Sequence, residues 1–277
     1  TREKWVEYFN SQDYDVILTT ASLSLRLAMI APRLKAATVG WQHNCYDTYV
    51  LQKGILFWKK EEILKKYLPK LNSYVVLNEY DRRDFKEKLG IDCVAMDNPR
   101  SFTSEEKTDL GQKQFFVAAR FVEQKGMDLL IDAFAKFCTV DDEWKLVIAG
   151  DGPLRAEVLD RVEFIGVTNN VQKYFLQSSV YLLSSRWEGW GLVIVEAFEM
   201  GMPVIAFDIV PVDLIITNGE DGLIVDKFDV DQFAAAMVKL AHDEETRRTM
   251  GRKALEKADR FSEKHVAQRW QKLLESL

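Results

Sequence analysis

The sequence predicts an α/β fold of two doubly wound domains with parallel sheets. Short β-branched runs alternate with longer amphipathic runs along the whole chain, and the strand candidates are mostly apolar, as strands covered on both faces are. The alternation is broken once, at Asn98–Gly111, where Asn98-Pro99 and the charged stretch Ser104–Asp109 read as a linker.

Taken in order, Thr1 opens into a helical pattern marked by Trp5, Val6 and Phe9. Before the linker, strands are expected at Tyr14–Thr20, Thr38–Gln42, Tyr74–Asn78 and Cys93–Asp97, with helices at Leu23–Leu34, Gln52–Leu68 and Glu79–Leu89. After it, strands are expected at Gln114–Ala118, Lys145–Ala149, Val162–Ile165, Val180–Leu183, Val204–Phe207 and Gly222–Val225. Helices are expected there at Met127–Cys138 and Leu192–Met200. Asp243 to Leu277 reads as two or three charged amphipathic helices, broken near Phe261-Ser262. About six strands make one complete doubly wound unit, whereas about four are fewer than such a domain usually carries, so the first half is expected to lack its start. The expected division is 1–102 for this partial domain and 103–261 for the second, with a helix at 262–277 packing back on the first.

With a net charge of -6, the chain lacks the basic face that nucleic acid requires, so nucleic acid is not an expected partner. Cys45, Cys93 and Cys138 show neither paired nor metal-ligand spacing, which fits a reducing cytoplasm. No apolar run approaches the length of a membrane span and no signal peptide opens the chain, so a cytoplasmic location is expected, with any membrane contact peripheral.

Four loops that follow strands carry the candidate chemistry. In Ser184-Ser185-Arg186-Trp187-Glu188-Gly189-Trp190-Gly191-Leu192-Val193-Ile194-Val195-Glu196-Ala197, Glu188 sits in a Gly-rich loop at the carboxyl edge of the sheet, where doubly wound folds bind ligands. Glu196 falls about one turn into the next helix, aimed at the same crevice, and the glycines let amides at the helix start approach an anion. The plain alternative is a strand–loop–helix turn with two solvated glutamates. In Ala119-Arg120-Phe121-Val122-Glu123-Gln124-Lys125-Gly126, Arg120 and Lys125 suit a diphosphate, one as a fork and one as a point charge. Ala149-Gly150-Asp151-Gly152-Pro153-Leu154 is a turn with proline at a helix start. Phe164-Ile165-Gly166-Val167-Thr168-Asn169-Asn170 could let a flat base lie against the backbone of Val167, or simply end a strand.

Together these segments resemble the retaining, metal-independent glycosyltransferases of family four, of GT-B architecture. The match is close over Phe115 to Val225 and rests on the Arg-x4-Lys-Gly loop, the Gly-Asp-Gly-Pro turn and the Glu-x7-Glu segment, in that order. The resemblance implies two Rossmann-like domains facing a cleft, with the second binding a nucleotide-sugar donor, by default a UDP-sugar. It implies no metal and no cofactor beyond that co-substrate. Arg120 and Lys125 would bind the pyrophosphate, Glu188 the sugar hydroxyls and Glu196 the ribose. The backbone of Gly191 and Leu192 would meet the phosphate, the segment near Val167 the base, and Gly189, Asp151 and Gly152 would complete the donor site. His43, at the end of Gly40-Trp41-Gln42-His43-Asn44, stands where the family often places a histidine near the donor sugar and its phosphate; a capping or core histidine is an equal reading. His242 and His265 read as solvated.

The implied acceptor is a saccharide or lipid-linked saccharide of surface polysaccharide biosynthesis, with transfer retaining configuration. Three departures stand out: the Gly-rich loop of the family's first N-terminal strand is absent, the helix after Gly152-Pro153 is short, and Ile209–Leu214 replaces the usual Gly-Pro-x-Glu. Lys53 to Lys70 is a Lys-rich amphipathic stretch whose aromatics Phe57 and Trp58 could dock on the cytoplasmic face of a membrane, or simply pack as a helix on the sheet. The rival functions are a truncated or non-catalytic nucleotide-sugar-binding subunit, and an epimerase or phosphorylase of the same architecture.

Overall fold

The computed structural model describes residues 1–53, 57–152 and 160–277. They form two compact units, Thr1–Asn98 with Glu263–Leu277, and Pro99–Ser262.

The first unit runs α1 (Arg2–Ser11), β1 (Val16–Thr20), α2 (Ser22–Ala28), β2 (Ala37–Trp41), α3 (Glu61–Tyr67), β3 (Ser73–Val76), α4 (Glu79–Leu89) and β4 (Val94–Ala95). Its four strands are parallel, in the order β1-β2-β3-β4. Every residue of β3 is buried, and its side chains alternate between two cores, as strand geometry demands. Tyr74 and Val76 join Leu27, Leu64, Leu68 and Phe85 on one face. Val75 joins Val39 and Met96 on the other, covered by Trp270 and Leu273. Asn78 caps α4 by accepting from the Asp81 amide at 2.9 Å, and the left-handed Gly90 ends it.

Three expectations need correction here. The run Leu23–Leu34 is split: α2 stops at Ala28 and a 3-10 turn occupies Ala31–Arg33, because Pro32 has no amide hydrogen and disfavours helical backbone before it. The expected helix Gln52–Leu68 is confined to α3; Asp47–Leu51 is a π-helical turn, Lys59 is left-handed at φ 56, and residues 54–56 lie outside the described ones. Phe57 is a core residue against Tyr49, with ring centroids 5.7 Å apart, so it is not an exposed docking aromatic. The strand expected at Cys93–Asp97 pairs only over Val94–Ala95.

The second unit continues with β5 (Gln114–Ala118), α5 (Met127–Phe137), β6 (Lys145–Ala149), β7 (Val162–Gly166), α6 (Val171–Leu176), β8 (Val180–Leu183), α7 (Leu192–Glu199), β9 (Val204–Phe207), α8 (Val212–Ile215), β10 (Gly222–Val225), α9 (Val230–His242) and α10 (Glu244–Ala258). Its strands are parallel in the order β10-β9-β8-β5-β6-β7. β8 and β9 are buried at every residue, as a sheet covered on both faces requires. α5 turns Met127, Leu130, Ala133, Phe134 and Phe137 inward at helical spacing. After a 3-10 turn at Asp259–Phe261, α11 (Glu263–Glu275) returns to the first unit. Among the described residues no helix is long and apolar enough to cross a membrane. The helix expected after Gly152-Pro153 falls on residues 153–159, outside the described ones.

The segment Pro99–Gly111 has a linker's composition but is fastened to its unit. Glu199, 2% exposed at the end of α7, accepts from Lys107 Nζ at 2.6 Å, from the Ser104 amide at 2.9 Å and from the Arg100 guanidinium. Thr108 donates its amide to Met200 at 3.0 Å and its hydroxyl to Ser178 at 2.6 Å. Removing one member of a buried ionic cluster leaves the others desolvated and unpaired. Glu199→Ala is therefore expected to lower unfolding free energy by about 3 kcal/mol, read from urea denaturation; an unchanged midpoint would show that the segment is held by other means.

Candidate functional site

β5 is the pivot of the six-stranded sheet. The chain passes from β5 outward to β6 and β7, then crosses back to lay down β8, β9 and β10 on its other side. At such a reversal the loops leaving adjacent strands part in opposite directions and open a crevice at the carboxyl edge. Here those loops are 119–126, after β5, and 184–191, after β8.

Both loops are tightly stitched. Ser184 Oγ donates to the Lys125 carbonyl at 2.9 Å, the Arg186 amide to Gln124 at 2.7 Å, and Gln124 Nε2 to the Trp187 carbonyl at 3.1 Å. Arg186 adds an ion pair to Asp128 and a bond to the Glu123 carbonyl at 3.0 Å. This approach requires glycine at 126, where φ is +58 and a Cβ would stand 2.1 Å from the Ser184 carbonyl oxygen. Gly150 does the same for the next loop: φ is +142, and a Cβ would meet the Ala119 carbonyl at 1.8 Å. The Phe121 amide then donates to Asp151 at 3.0 Å and the Gly150 amide to Gly166 at 2.8 Å. The loops after β5, β6, β7 and β8 thus form one hydrogen-bonded rim.

Lys125 and Glu188 meet across the crevice. Lys125 Nζ lies 2.8 Å from Glu188 Oε1, which also accepts from Ser185 Oγ at 2.6 Å. Glu188 is buried at 6% exposure, so this pair is shielded from solvent and holds its geometry. Arg120, on the same loop as Lys125, is exposed and has no carboxylate partner among the described residues. Gly191, at φ +85, is the residue before α7, and half-buried Leu192 is the first residue within it. The first amides of a helix lack intrahelical acceptors, so this end offers donors to an anion. Gly189 lies half-buried between Glu188 and that helix start.

Glu196, one turn into α7, accepts from Ser101 Oγ. Burial pushes its carboxyl above the ordinary range, and the Ser101 hydroxyl offsets this in part by favouring the carboxylate. The buried Tyr181 hydroxyl bridges Ala118, 3.1 Å from the amide and 3.2 Å from the carbonyl. Burial pushes the phenol up, the bond to Ala118 offsets this in part, and the charges of Glu196 and Glu188 add to it. Asp151 is exposed and accepts from the Gly152 amide at 2.8 Å, so its carboxylate helps to shape its own turn. Val167, 79% exposed, stands just past the end of β7.

His43 lies in the first unit, so the candidate residues divide between the two. It is neither cap nor core: the ring lies tilted against Trp41 with centroids 4.1 Å apart, Trp41 itself meets Trp270, and partial burial lowers its imidazole. His242 is not merely solvated, since its Nε2 lies 3.1 Å from Asp141 Oδ2. Among the described residues no His, Cys, Asp or Glu cluster has the arrangement to hold a metal ion. Sequence reasoning passed over Ser185 and Ser101. The first lies three residues before Glu188 and was legible as a local donor, whereas Ser101 is 95 residues from Glu196 and left no signal.

Because the folded value of Glu196 lies above its ordinary 4.5, its protonated form favours the folded state; that contribution is full below pH 4.5 and is lost as pH rises through the folded value. Ser101→Ala removes a bond to the carboxylate, so the Glu196 midpoint is expected to move higher still, as followed by carboxyl-carbon NMR. A midpoint that fell, or did not move, would refute the coupling.

The glycosyl transferases group 1 family matches residues 100–257, more than half of the chain. At 31% identity over 96% of its length, the chain is similar to an exopolysaccharide phosphotransferase of Streptomyces coelicolor, of which it spans only 29%. It is similar in structure to a TarM variant of S. aureus in complex with fondaparinux, alpha-GlcNAc-glycerol and UDP, at a TM-score of 0.79 and 21% identity, covering 97% of this chain and 58% of that one. It is also similar to Anabaena HepE in complex with UDP-glucose, at a TM-score of 0.80 and 18% identity, covering 100% of this chain and 82% of that one. The matched residues include both loops of the β5–β8 crevice, the likeness in fold spans both parallel sheets, and so the chain belongs to the glycosyl transferases group 1 family and has the GT-B type of architecture.

Proposed function

We propose that the second unit binds a nucleoside-diphosphate sugar, a UDP-sugar, at the β5–β8 crevice, and that the protein transfers the sugar with retention of configuration to a saccharide or lipid-linked saccharide acceptor. The observation that carries this reading is the pair of half-buried Lys125 and buried Glu188 at the switch point, with exposed Arg120, which has no carboxylate partner among the described residues, on the same loop.

A pyrophosphate entering the crevice can take Lys125 as its counter-ion, while Arg120 presents its fork and the start of α7 its free amides. Glu188 then exchanges the ammonium for sugar hydroxyls and keeps the bond from Ser185. Glu188 stays in the site as a carboxylate, so the added negative charge of the diphosphate falls to Lys125, Arg120 and the amides at the start of α7. Glu196 would receive the ribose hydroxyls beside Ser101, and exposed Val167 would face the base. As the sugar–phosphate bond breaks, negative charge grows on the leaving diphosphate, and fixed cations and amides stabilise it most at that moment. Retention follows if the acceptor attacks the face the phosphate leaves, with a phosphate oxygen taking the acceptor's proton. UDP accompanies both structural relatives described above, and the Streptomyces relative is named for work on exopolysaccharide, which supports this donor and this acceptor class.

The test is a thermal-shift panel of UDP, UDP-sugars, GDP and ADP. A ligand at a hundred times its Kd should add about 2.7 kcal/mol to stability, and UDP-sugars are expected to give the largest shifts. Arg120→Ala, at an exposed position, should abolish the shift with the melting point of the free protein unchanged, and should cut transfer of labelled sugar at least ~100-fold. No shift with any nucleotide would sink the proposal; a shift without transfer would identify a donor-binding subunit instead.

A further inference from the structure

Two glutamates share one face of α7. Glu196 and Glu199 are three residues apart, a spacing that sets helix side chains next to each other. The segment 100–104 runs along that face. The Arg100 guanidinium and the Ser104 amide both donate to Glu199, and between them Ser101 Oγ donates to Glu196 Oε1.

Ser101 is exposed, yet its neighbours leave it little freedom. Arg100 is fastened twice, by its guanidinium on Glu199 and by its amide, which donates to the Phe261 carbonyl at 2.8 Å. Half-buried Phe102 packs on Phe175, with ring centroids 6.3 Å apart. A residue between two anchored neighbours has already lost most of its backbone freedom, so holding its hydroxyl in place costs little more. The hydroxyl is delivered to Glu196 by packing that Ser101 does not itself provide.

The bond has two effects on Glu196. It engages Oε1 and leaves Oε2 outside it. It also favours the carboxylate, against burial, which favours the protonated acid. A carboxylate only accepts hydrogen bonds, whereas a protonated acid carries a proton that must itself be donated. The vicinal diol of a ribose offers two O–H donors and so complements an acceptor held at a fixed angle. A sugar without those hydroxyls would leave the half-buried carboxylate short of donors.

We propose that Ser101 is a positioning residue for ribose selection, holding Glu196 as a fixed acceptor for the diol of the donor nucleotide. This rests on the donor-site reading, in which Glu196 meets the ribose. The test is calorimetric titration with UDP and with dideoxyuridine diphosphate, which lacks both ribose hydroxyls. The wild type is expected to prefer UDP about a hundredfold, because two bonds to a charged acceptor are lost with the analogue. Ser101→Ala should cut that preference at least ~tenfold by weakening UDP alone, with affinity for the analogue unchanged. A merely structural disturbance would weaken both ligands alike. Ser101→Thr, which keeps the hydroxyl, should restore the preference, and Ser101→Val, of the same shape without it, should not; circular dichroism checks that the variants fold. Full preference in Ser101→Ala, equal weakening of both ligands, or a wild type that binds UDP without preference would overturn the inference and leave nucleotide binding standing. A wild type that does not bind UDP would overturn both.

Discussion

The second unit's chemistry depends on how closely two loops approach at the pivot of its sheet. A strand order that reverses at β5 creates a crevice, but only contact between the loops makes that crevice a defined site. The contact is a backbone one, with Gly126 against the Ser184 carbonyl at a distance no side-chain-bearing residue tolerates. Lys125 precedes that glycine and Glu188 follows that serine by four residues, so the same approach fixes both ends of the ion pair. The position of the Lys125 charge and its partial shielding thus come from one geometric cause.

The two buried carboxylates near α7 show how partner number separates a permanent bond from an exchangeable one. Glu199 accepts from two cations and a backbone amide, with both of its oxygens engaged. Glu188 is met by one cation and one hydroxyl, both on a single oxygen, which leaves its Oε2 with no bond to Lys125 or Ser185. The same residue type thus fastens a chain segment in one place and, in the other, keeps one oxygen outside its ion pair.

Much of this was legible in the sequence where chemistry and local pattern coincide. Gln114–Ala118, Lys145–Ala149, Val180–Leu183, Val204–Phe207 and Gly222–Val225 are strands over the residues expected, because each is a short apolar run bounded by turn-forming or polar residues. The helices α6 and α8, of six and four residues, are too short to show a helical period and were not anticipated. Gln52–Leu68 misled because lysines and leucines keep a helical rhythm that the left-handed Lys59 interrupts, and nothing in the composition marks that backbone. In the site, each side of the crevice carries its own motif, so Lys125 and Glu188 could be named separately. The bonds of Ser101 to Glu196 and of Lys107 to Glu199 join residues more than ninety positions apart, and such pairings are set by packing that no local pattern records.

One sheet face of the first unit is not finished by its own stretch of chain. Val39, Val75 and Met96 are covered by Trp270 and Leu273 of α11, which are synthesised after the whole second unit. On the ribosome the order of completion is therefore inverted. Pro99–Ser262 can close its core while its predecessor still exposes an apolar sheet face, so that face is covered only after the second unit has been made. During that interval a nascent chain carries uncovered valine and methionine, so the window for misassociation closes only once residues 263–277 have left the exit tunnel.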